Sequence, residues 1–130
     1  MKMSSQLLIA VVGNCASGKT TLVGNLTARG YRAINVPQEH SQVRRLWRYK
    51  KPDLLVLLSC SRETAVKRRP GFAWSSRQIE DQYRRLAMAR QECDLYIKTD
   101  DLTRQEVADC VIELVKQKEA SRNGKNSDAD

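Results

Sequence analysis

The residues best suited to chemistry in this chain stand together near its amino terminus. The run Gly13-Asn14-Cys15-Ala16-Ser17-Gly18-Lys19-Thr20 has a glycine, four residues, a second glycine, a lysine and a threonine. The glycines permit positive φ, so that successive backbone N–H groups can point into one concavity and wrap a phosphate. Lys19 would reach the β- and γ-phosphates of a nucleoside triphosphate, while the Thr20 hydroxyl would ligate Mg²⁺. The spacing predicts a phosphate-binding (Walker A) loop, with Thr21 directly after it.

The segments on either side of the loop have the character that such a loop requires. Residues 7–12 form a continuous apolar run that is typical of a strand buried on both faces of a parallel sheet. From Lys19 onward, Leu22 and Leu26 recur at helical spacing until Gly30, a suitable C-terminal cap. The amino terminus of that helix would add its positive end to the anion site. We therefore expect ATP and Mg²⁺ as the bound cofactors.

A nucleotide site also needs a carboxylate at the carboxyl end of a neighbouring strand, because ligands gather in that crevice. Glu39 follows the second predicted strand and is placed to assist the metal or an acceptor; the alternative is an ordinary surface glutamate. Asp53 lies at the entry end of its strand, so we exclude it as a metal ligand. That strand closes with Ser59-Cys60 and lacks the usual Walker B aspartate.

Basic residues near the middle of the chain could neutralise charge during phosphoryl transfer. Arg68 and Arg69 end a predicted helix just before a proline-glycine turn, where a closing lid could bring one of them over the γ-phosphate. Simple surface solvation is the alternative for each. His40 is placed to touch an acceptor, and Trp74 either stacks on a ligand or packs on the first turn of the next helix.

Strands and helices alternate along the chain. Strands are predicted at residues 7–12, 31–36, 53–59 and 95–98, and helices at 19–30, 41–49, 61–69, 75–92 and from 103 onward. Ser61 can cap one helix, and capping boxes are available at Ser75 with Gln78 and at Thr103 with Glu106. An apolar stripe on the last helix comprises Val107, Cys110, Val111, Leu114 and Val115. This alternation predicts an α/β fold in which helices cover both faces of a parallel sheet of about four strands.

The composition predicts one globular domain over residues 1–120, followed by a disordered polar tail at 121–130. The chain has 130 residues, 41% of them hydrophobic, and no apolar stretch long enough for a signal peptide or membrane anchor. Its four cysteines are scattered, as in reduced cytoplasmic proteins, and Cys15 is either a small residue that fits its turn or a thiol open to oxidation. We expect a cytoplasmic protein without a membrane partner.

The net charge of +8 is concentrated between residues 44 and 90, which hold thirteen Lys or Arg and four Asp or Glu. Such a field attracts anions, which include nucleotide phosphates, a small anionic acceptor and an acidic protein partner. A solvated basic surface without a dedicated partner is the alternative. With aromatic residues at 5% and no recognised nucleic-acid motif, we do not expect nucleic acid to be the main partner.

Beyond the loop, three segments resemble thymidylate kinases and other nucleoside or nucleotide kinases of the P-loop NTPase superfamily. They are residues 52–58 with the following Glu63, Thr64, Ala65, Arg68 and Arg69; residues 94–100 with Glu106 and Val107; and, more loosely, residues 38–41. The resemblance covers about residues 7–116 and implies a three-layer P-loop NTPase-type sandwich. It also implies that the loop after the last strand borders the adenine ring. The short connection at 38–52 implies a shortened protein with a shallow acceptor site, or one that a second subunit completes in a homodimer.

Two functions are consistent with these features. The first is an ATP-dependent, kinase-like phosphotransferase in which Lys19 and Thr20 hold phosphate and metal, Glu39 assists, and Arg68 or Arg69 covers the transferred group. The alternative is a nucleotide-dependent regulator or weak ATPase, favoured by the missing Walker B acid and the reduced acceptor region. A GTP switch is disfavoured because no Asn-Lys-x-Asp base-reading motif follows the loop.

Overall fold

A computed structural model describes residues 7–71 and 75–129. The strands are β1 (Leu8–Gly13), β2 (Arg32–Asn35), β3 (Leu54–Ser59) and β4 (Leu95–Lys98). The helices are α1 (Lys19–Ala28), α2 (Arg62–Arg68), α3 (Ser76–Arg85), α4 (Ala87–Glu92) and α5 (Arg104–Ala129), with 3-10 turns at Gln38–His40 and Leu46–Lys50. Trp74, for which the sequence left two roles open, lies outside the described residues.

The four strands form one sheet in the order β2-β1-β3-β4, and every pair is parallel. β1 is therefore an inner strand, flanked by β2 on one side and by β3 on the other. In a parallel sheet all carboxyl ends lie at one edge, so the residues that follow the four strands meet there. Asp53 lies at the opposite edge, where its Oδ2 accepts the Leu8 backbone N–H at 2.8 Å, as expected for a residue at the entry end.

Helices flank the sheet, and apolar side chains are buried on both of its faces. On one face Ile9, Val11 and Val56 pack with residues of α1 and α5. On the other face Ala10, Val12, Leu55 and Leu57 pack with Trp47, with Leu86 and with Ala89 of α4. This two-faced burial explains the continuous apolar runs of β1 and β3, because both sides of each strand face a helical layer. The predicted α/β architecture with four parallel strands is confirmed.

The helix predicted at 41–49 is wrong. The chain instead forms the two 3-10 turns, and Val43, predicted to face inward, is 46% exposed. The buried Gln38 side chain explains this, because its amide donates to the Val43 carbonyl at 2.6 Å and accepts the Leu46 N–H at 2.8 Å. These bonds engage backbone groups that a helix would use for itself. Trp47 is buried as predicted.

The helix predicted at 75–92 is interrupted at Leu86. Its φ of −95° and ψ of 2° end α3, and α4 starts at the next residue. Leu86 is 3% exposed, so its inward packing accompanies the break. Tyr83, predicted to face the core, is 41% exposed, although its hydroxyl donates to the Cys60 carbonyl at 2.7 Å.

The predicted helix caps are confirmed. The Ser61 side chain accepts from the Thr64 N–H at the start of α2, and Ser75 with Gln78 forms a complete capping box on α3. At α5 the Thr103 N–H donates to Glu106 at 2.8 Å, and the Glu106 N–H donates to Thr103 at 3.0 Å.

Helix α5 is longer than the sequence indicated. It continues to Ala129, past the boundary expected at residue 120, and the division into a domain of 1–120 and a tail of 121–130 stays a prediction. Its stripe is buried at Val107, Val111 and Val115, whereas Cys110 is exposed, contrary to expectation. Of the helices in the described ranges, none combines the length and apolar character that crossing a bilayer requires.

Candidate functional site

The loop between β1 and α1 contains two residues with positive φ, and within it the Ser17 N–H donates to the Asn14 carbonyl at 3.1 Å. Ala16 has a φ of 66° and Gly18 a φ of 103°, whereas Ser17 between them does not have a positive φ. Alternation between the left-handed and ordinary regions turns successive N–H groups toward one side of the chain. Ala16 makes this excursion without being a glycine, so the surrounding contacts must hold it there.

Gly13 is required by a close approach between the loop and β3. A Cβ at this position would lie 2.3 Å from the Leu58 carbonyl oxygen and 2.7 Å from the Ser17 Oγ. The backbone oxygen of Leu58 cannot move aside as a flexible side chain can. The first glycine of the motif thus lets β1 run directly beside β3 as the chain turns into the loop.

Lys19 and Glu39 form a buried ion pair at this loop. The Lys19 Nζ lies 2.7 Å from the Glu39 Oε2, and the two side chains are 9% and 4% exposed. The same ammonium donates to the carbonyl oxygens of Gly13 at 3.0 Å and Asn14 at 3.2 Å. The pair forms because β2 lies beside β1, which brings the turn after β2 next to the start of α1. Glu39 is therefore not a surface glutamate.

Two buried polar atoms at this site have no hydrogen-bond partner. They are the Ser17 Oγ and the Glu39 Oε1, the buried side-chain nitrogen or oxygen atoms left unpartnered among residues 7–71 and 75–122. Buried polar groups in folded proteins are almost always bonded, so an orphan calls for a partner. A hydroxyl that can donate and a carboxylate that can accept a metal-bound water fit a phosphate carrying a divalent cation.

Helix α1 begins at Lys19, and its N-cap residue is Gly18. Because glycine has no side chain, no side-chain hydrogen bond caps the first turn of this helix. The first N–H groups of a helix have no partner within the helix and attract anions. Thr20 is exposed, and its Oγ1 accepts from the Asn35 amide at 3.3 Å, so the last residue of β2 orients the hydroxyl. Thr21 follows, half-buried.

Side chains from two other elements hold the loop in place. The Asn14 side chain is fully buried; its Oδ1 accepts the Cys60 N–H at 3.0 Å and its Nδ2 donates to the Cys60 carbonyl at 3.1 Å. Gln82 of α3 accepts the Cys15 N–H at 2.8 Å. Burial raises the pKa of the Cys60 thiol, so this cysteine is a packing residue.

Arg68 forms a clamp between the loop and the segment after β4. Its Nη1 donates to the Ala16 carbonyl at 2.8 Å and the Thr99 Oγ1 at 3.0 Å, and its Nη2 donates to the Thr99 carbonyl at 2.6 Å. Thr99 in turn donates to the Ser17 carbonyl at 2.9 Å. Arg68 and Arg69 both line a cleft beside the loop. The catalytic role expected for these arginines stays a prediction.

Two clefts lie near these residues, one beside the loop and one beside the turn that carries Glu39. The first, of about 540 Å³, is lined by residues 16–22, Arg68, Arg69, Thr99, residues 102–104 and Val107. The second, of about 490 Å³, contains the basic side chains of Arg44, Arg84 and Arg85. Arg85 also donates to the Glu39 carbonyl at 3.3 Å, so the second cleft adjoins the turn that carries Glu39.

Asp100 supports the helix that carries Arg68. It accepts the Ser61 N–H at 2.8 Å and the Thr64 hydroxyl at 2.6 Å, and so binds the first turn of α2. Burial alone would raise the pKa of Asp100, but these hydrogen bonds outweigh it and lower the pKa from 3.8 to about 2.

The structure adds residues that the sequence analysis did not assign to the site. Asn35, Gln82 and Thr99 each contact the loop or its threonine, and the Asn14 side chain anchors it. Asn35 and Thr99 follow the general rule that polar residues at the carboxyl ends of strands face the crevice. The sequence does not predict the role of Gln82, because its hydrogen bond to the Cys15 N–H depends on where α3 packs against the loop.

No protein-family model matches the sequence, and the search of curated proteins finds no match. The geometry of the loop, of the Lys19–Glu39 pair and of the two clefts therefore carries the functional argument.

Proposed function

We propose that this protein binds a nucleoside triphosphate with Mg²⁺ through residues 13–21 and acts as a kinase-like phosphotransferase on a small anionic acceptor. The observation that carries the proposal is the buried Lys19–Glu39 pair at 2.7 Å, next to a loop with alternating φ and two unpartnered polar atoms. A lysine, a carboxylate, an uncapped helix start and an unbonded hydroxyl are the groups that a metal-bound triphosphate requires. The chain would then be a shortened P-loop protein of the thymidylate kinase-like group.

Each residue has a role that its contacts support. Lys19 would exchange Glu39 and the two loop carbonyls for phosphate oxygens, which leaves Glu39 and the Thr20 hydroxyl to hold Mg²⁺ and its water. When bound, the metal neutralises phosphate charge and orients the phosphates. Asn35 would keep the Thr20 hydroxyl turned toward the site. The cleft bordered by Arg69 and Thr99 would take the base and sugar.

The second cleft suits the acceptor. Its lining holds Arg44, Arg84 and Arg85 together with Asp81, which pairs with Arg84 at 2.7 Å, and the remaining positive charge favours an anionic molecule, because guanidinium groups bind carboxylate and phosphate oxygens in pairs. The bond from Arg85 to the Glu39 carbonyl joins this cleft to the metal-binding turn. A phosphorylated small molecule is the acceptor class that this charge supports best.

A second function, nucleotide-dependent regulation or weak ATP hydrolysis, is favoured by the contacts of Arg68. Its guanidinium bonds the Ala16 and Thr99 carbonyls and the Thr99 hydroxyl, as a structural clamp does. A lid arginine must instead reach the transferred phosphoryl group. If Arg68 keeps these bonds with nucleotide bound, binding would tighten the clamp between α2 and β4 without efficient transfer.

Calorimetry tests nucleotide binding. The full chain should bind Mg·ATP or Mg·GTP with one site, and Lys19→Ala should weaken binding by about a hundredfold, since a charge-assisted phosphate contact is worth about 2–3 kcal/mol. Lys116→Ala, on the exposed side of α5, is the matched control and should bind as the parent does. Absence of heat with the folded parent, or equal affinity of the Lys19 variant, would contradict the proposal.

A transfer assay separates the two functions. Incubation with Mg·ATP and a panel of nucleosides, nucleotides and phosphorylated metabolites should give a phosphorylated product above the hydrolysis background. Arg44→Ala should raise the KM for the acceptor and leave the nucleotide dissociation constant unchanged. Nucleotide binding with no product from any acceptor would favour the regulatory function.

A further inference from the structure

Three side chains with metal-ligating atoms converge where the loop meets the turn after β2. The Cys15 Sγ lies 3.5 Å from the His40 Nε2, and that nitrogen lies 3.6 Å from the Glu39 Oε2. One ligand atom from each residue falls within 4.8 Å of the other two. Thiolate, imidazole and carboxylate are the donors that zinc prefers, whereas Mg²⁺ prefers oxygen alone.

Two of the three separations match those between the ligands of one tetrahedral ion, and the third, from the Cys15 Sγ to Glu39, is within 4.8 Å. With Zn–S near 2.3 Å and Zn–N and Zn–O near 2.05 Å, tetrahedral angles place sulfur about 3.5 Å from nitrogen and nitrogen about 3.4 Å from oxygen. The observed values, 3.5 and 3.6 Å, differ from these by a few tenths of an ångström at most. Only small side-chain rotations are needed, and His40, which is 58% exposed, can make them.

Two further contacts prepare the site for a cation. The Glu39 Oε2 that lies 3.6 Å from His40 is also 2.7 Å from the Lys19 Nζ, whereas the Oε1 is buried without a hydrogen-bond partner; a turn of the carboxylate would bring Oε1 to the metal and leave Oε2 with Lys19. Gln82 fixes the cysteine from both ends: it accepts the Cys15 N–H at 2.8 Å and its amide donates to the Cys15 Sγ at 3.3 Å. Outer-shell bonds of this kind orient metal ligands.

We propose that Cys15, Glu39 and His40 form a binding site for a thiophilic divalent cation such as Zn²⁺. Water fills the fourth position, and the Cys15 thiol releases its proton to solvent as the metal–sulfur bond forms. Lys19 retains the Gly13 and Asn14 carbonyls when Glu39 turns to the metal. The site links the loop to the turn after β2 and does not depend on a nucleotide.

Cobalt titration of the nucleotide-free full chain tests this site. Co²⁺ should bind with one ion per chain and give a thiolate-to-cobalt charge-transfer band, which Zn²⁺ then displaces. Cys15→Ser should remove the band. His40→Ala, at an exposed position that leaves the fold intact, should weaken binding at least about tenfold, which is about 1.4 kcal/mol.

Cys110→Ser is the matched control, because Cys110 is exposed on α5 and should not contribute. The band should survive in this variant. Loss of the band in Cys110→Ser, its persistence in Cys15→Ser, or no effect of His40→Ala would overturn the proposal. Calorimetry with Mg·ATP on the same metal-free proteins keeps the two proposals apart: Glu39 belongs to both sites, so the two cations compete for it, but Cys15→Ser and His40→Ala remove side chains that the proposed nucleotide site does not use.

Discussion

The burial of the Lys19–Glu39 ion pair allows a quantitative prediction of the free energy of unfolding in variants of the two residues. The pair is buried on both sides, so replacing Lys19 by methionine leaves a carboxylate with an unpartnered Oε1 and no cation at 2.7 Å. Breaking a buried ion pair by removing one partner costs about 3–5 kcal/mol, and the lower end applies here because the site opens into a cleft. Glu39→Gln should cost only about 1 kcal/mol, because Lys19 keeps two carbonyl acceptors.

A double-mutant cycle measures the coupling between the two residues. Urea unfolding of the parent, both single variants and the double variant should give an interaction free energy of about 2 kcal/mol. The control is Arg84 with Asp81, an ion pair at 2.7 Å whose side chains are 72% and 33% exposed; its coupling should stay below about 1 kcal/mol. If the Lys19 and Glu39 effects add within about 0.5 kcal/mol, the buried pair does not hold the loop and the reasoning is wrong.

The same proteins connect stability to ligand binding. At a nucleotide concentration of about one hundred times the dissociation constant, Mg·nucleotide should raise the free energy of unfolding of the parent by about 2.7 kcal/mol. The Lys19→Met variant should gain almost nothing under the same conditions. Equal stabilisation of both would show that the lysine does not meet the phosphates.

Two more predictions concern the support of the loop and of α2. Gly13→Ala should destabilise the fold by about 3 kcal/mol in urea unfolding, because its Cβ would lie 2.3 Å from the Leu58 carbonyl oxygen. Gly24→Ala on α1, with nothing within 4 Å of the added carbon, should instead stabilise it by about 0.5–1 kcal/mol; destabilisation by both would refute the steric argument. Asp100→Asn should cost about 1 kcal/mol at neutral pH after allowance for solvent screening. Because the pKa of Asp100 is lower in the folded state than in the unfolded state, the loss of stability in Asp100→Asn should be complete above pH 3.8 and should fade toward pH 2. A stability loss that does not change with pH would refute the stabilising role of the Asp100 carboxylate.

The local signals in the sequence were sufficient for the loop and the helix caps. The glycines and the lysine predict a turn between a strand and a helix, which is observed between β1 and α1, while phosphate binding by that turn stays a prediction. The caps at Ser75 and Thr103 are predictable because capping boxes are local. Each of these features depends on residues only a few positions apart. The strands β1 and β3 are also predictable from the sequence, because burial on both faces makes each of them a continuous apolar run.

Non-local contacts explain what the sequence did not predict. The segment at 41–49 has helical spacing. The Gln38 side chain, however, forms hydrogen bonds with the Val43 carbonyl and the Leu46 N–H, which a helix would otherwise use. No local sequence pattern predicts these two side-chain bonds. The break at Leu86 coincides with the burial of that side chain, which helical spacing also predicts for an unbroken helix, so the sequence does not reveal it. The contacts of Gln82 and Arg68 with the loop depend on helices placed by tertiary packing, so the sequence could name Arg68 only as one of several basic residues.

Sheet order explains how a site can be built although β3 ends without an acid. On the β3 side of β1, β3 ends at Ser59 and the Asn14 side chain bonds both backbone groups of Cys60. The other neighbour of β1 is β2. The turn after β2 places the Glu39 Oε2 2.7 Å from the Lys19 Nζ. Under the proposed function, Glu39 after β2 would take the place of the aspartate that does not follow β3. This arrangement predicts that introducing an aspartate at Ser59 cannot rescue Mg²⁺-dependent nucleotide binding in Glu39→Gln, and calorimetry on the two variants would reveal any rescue.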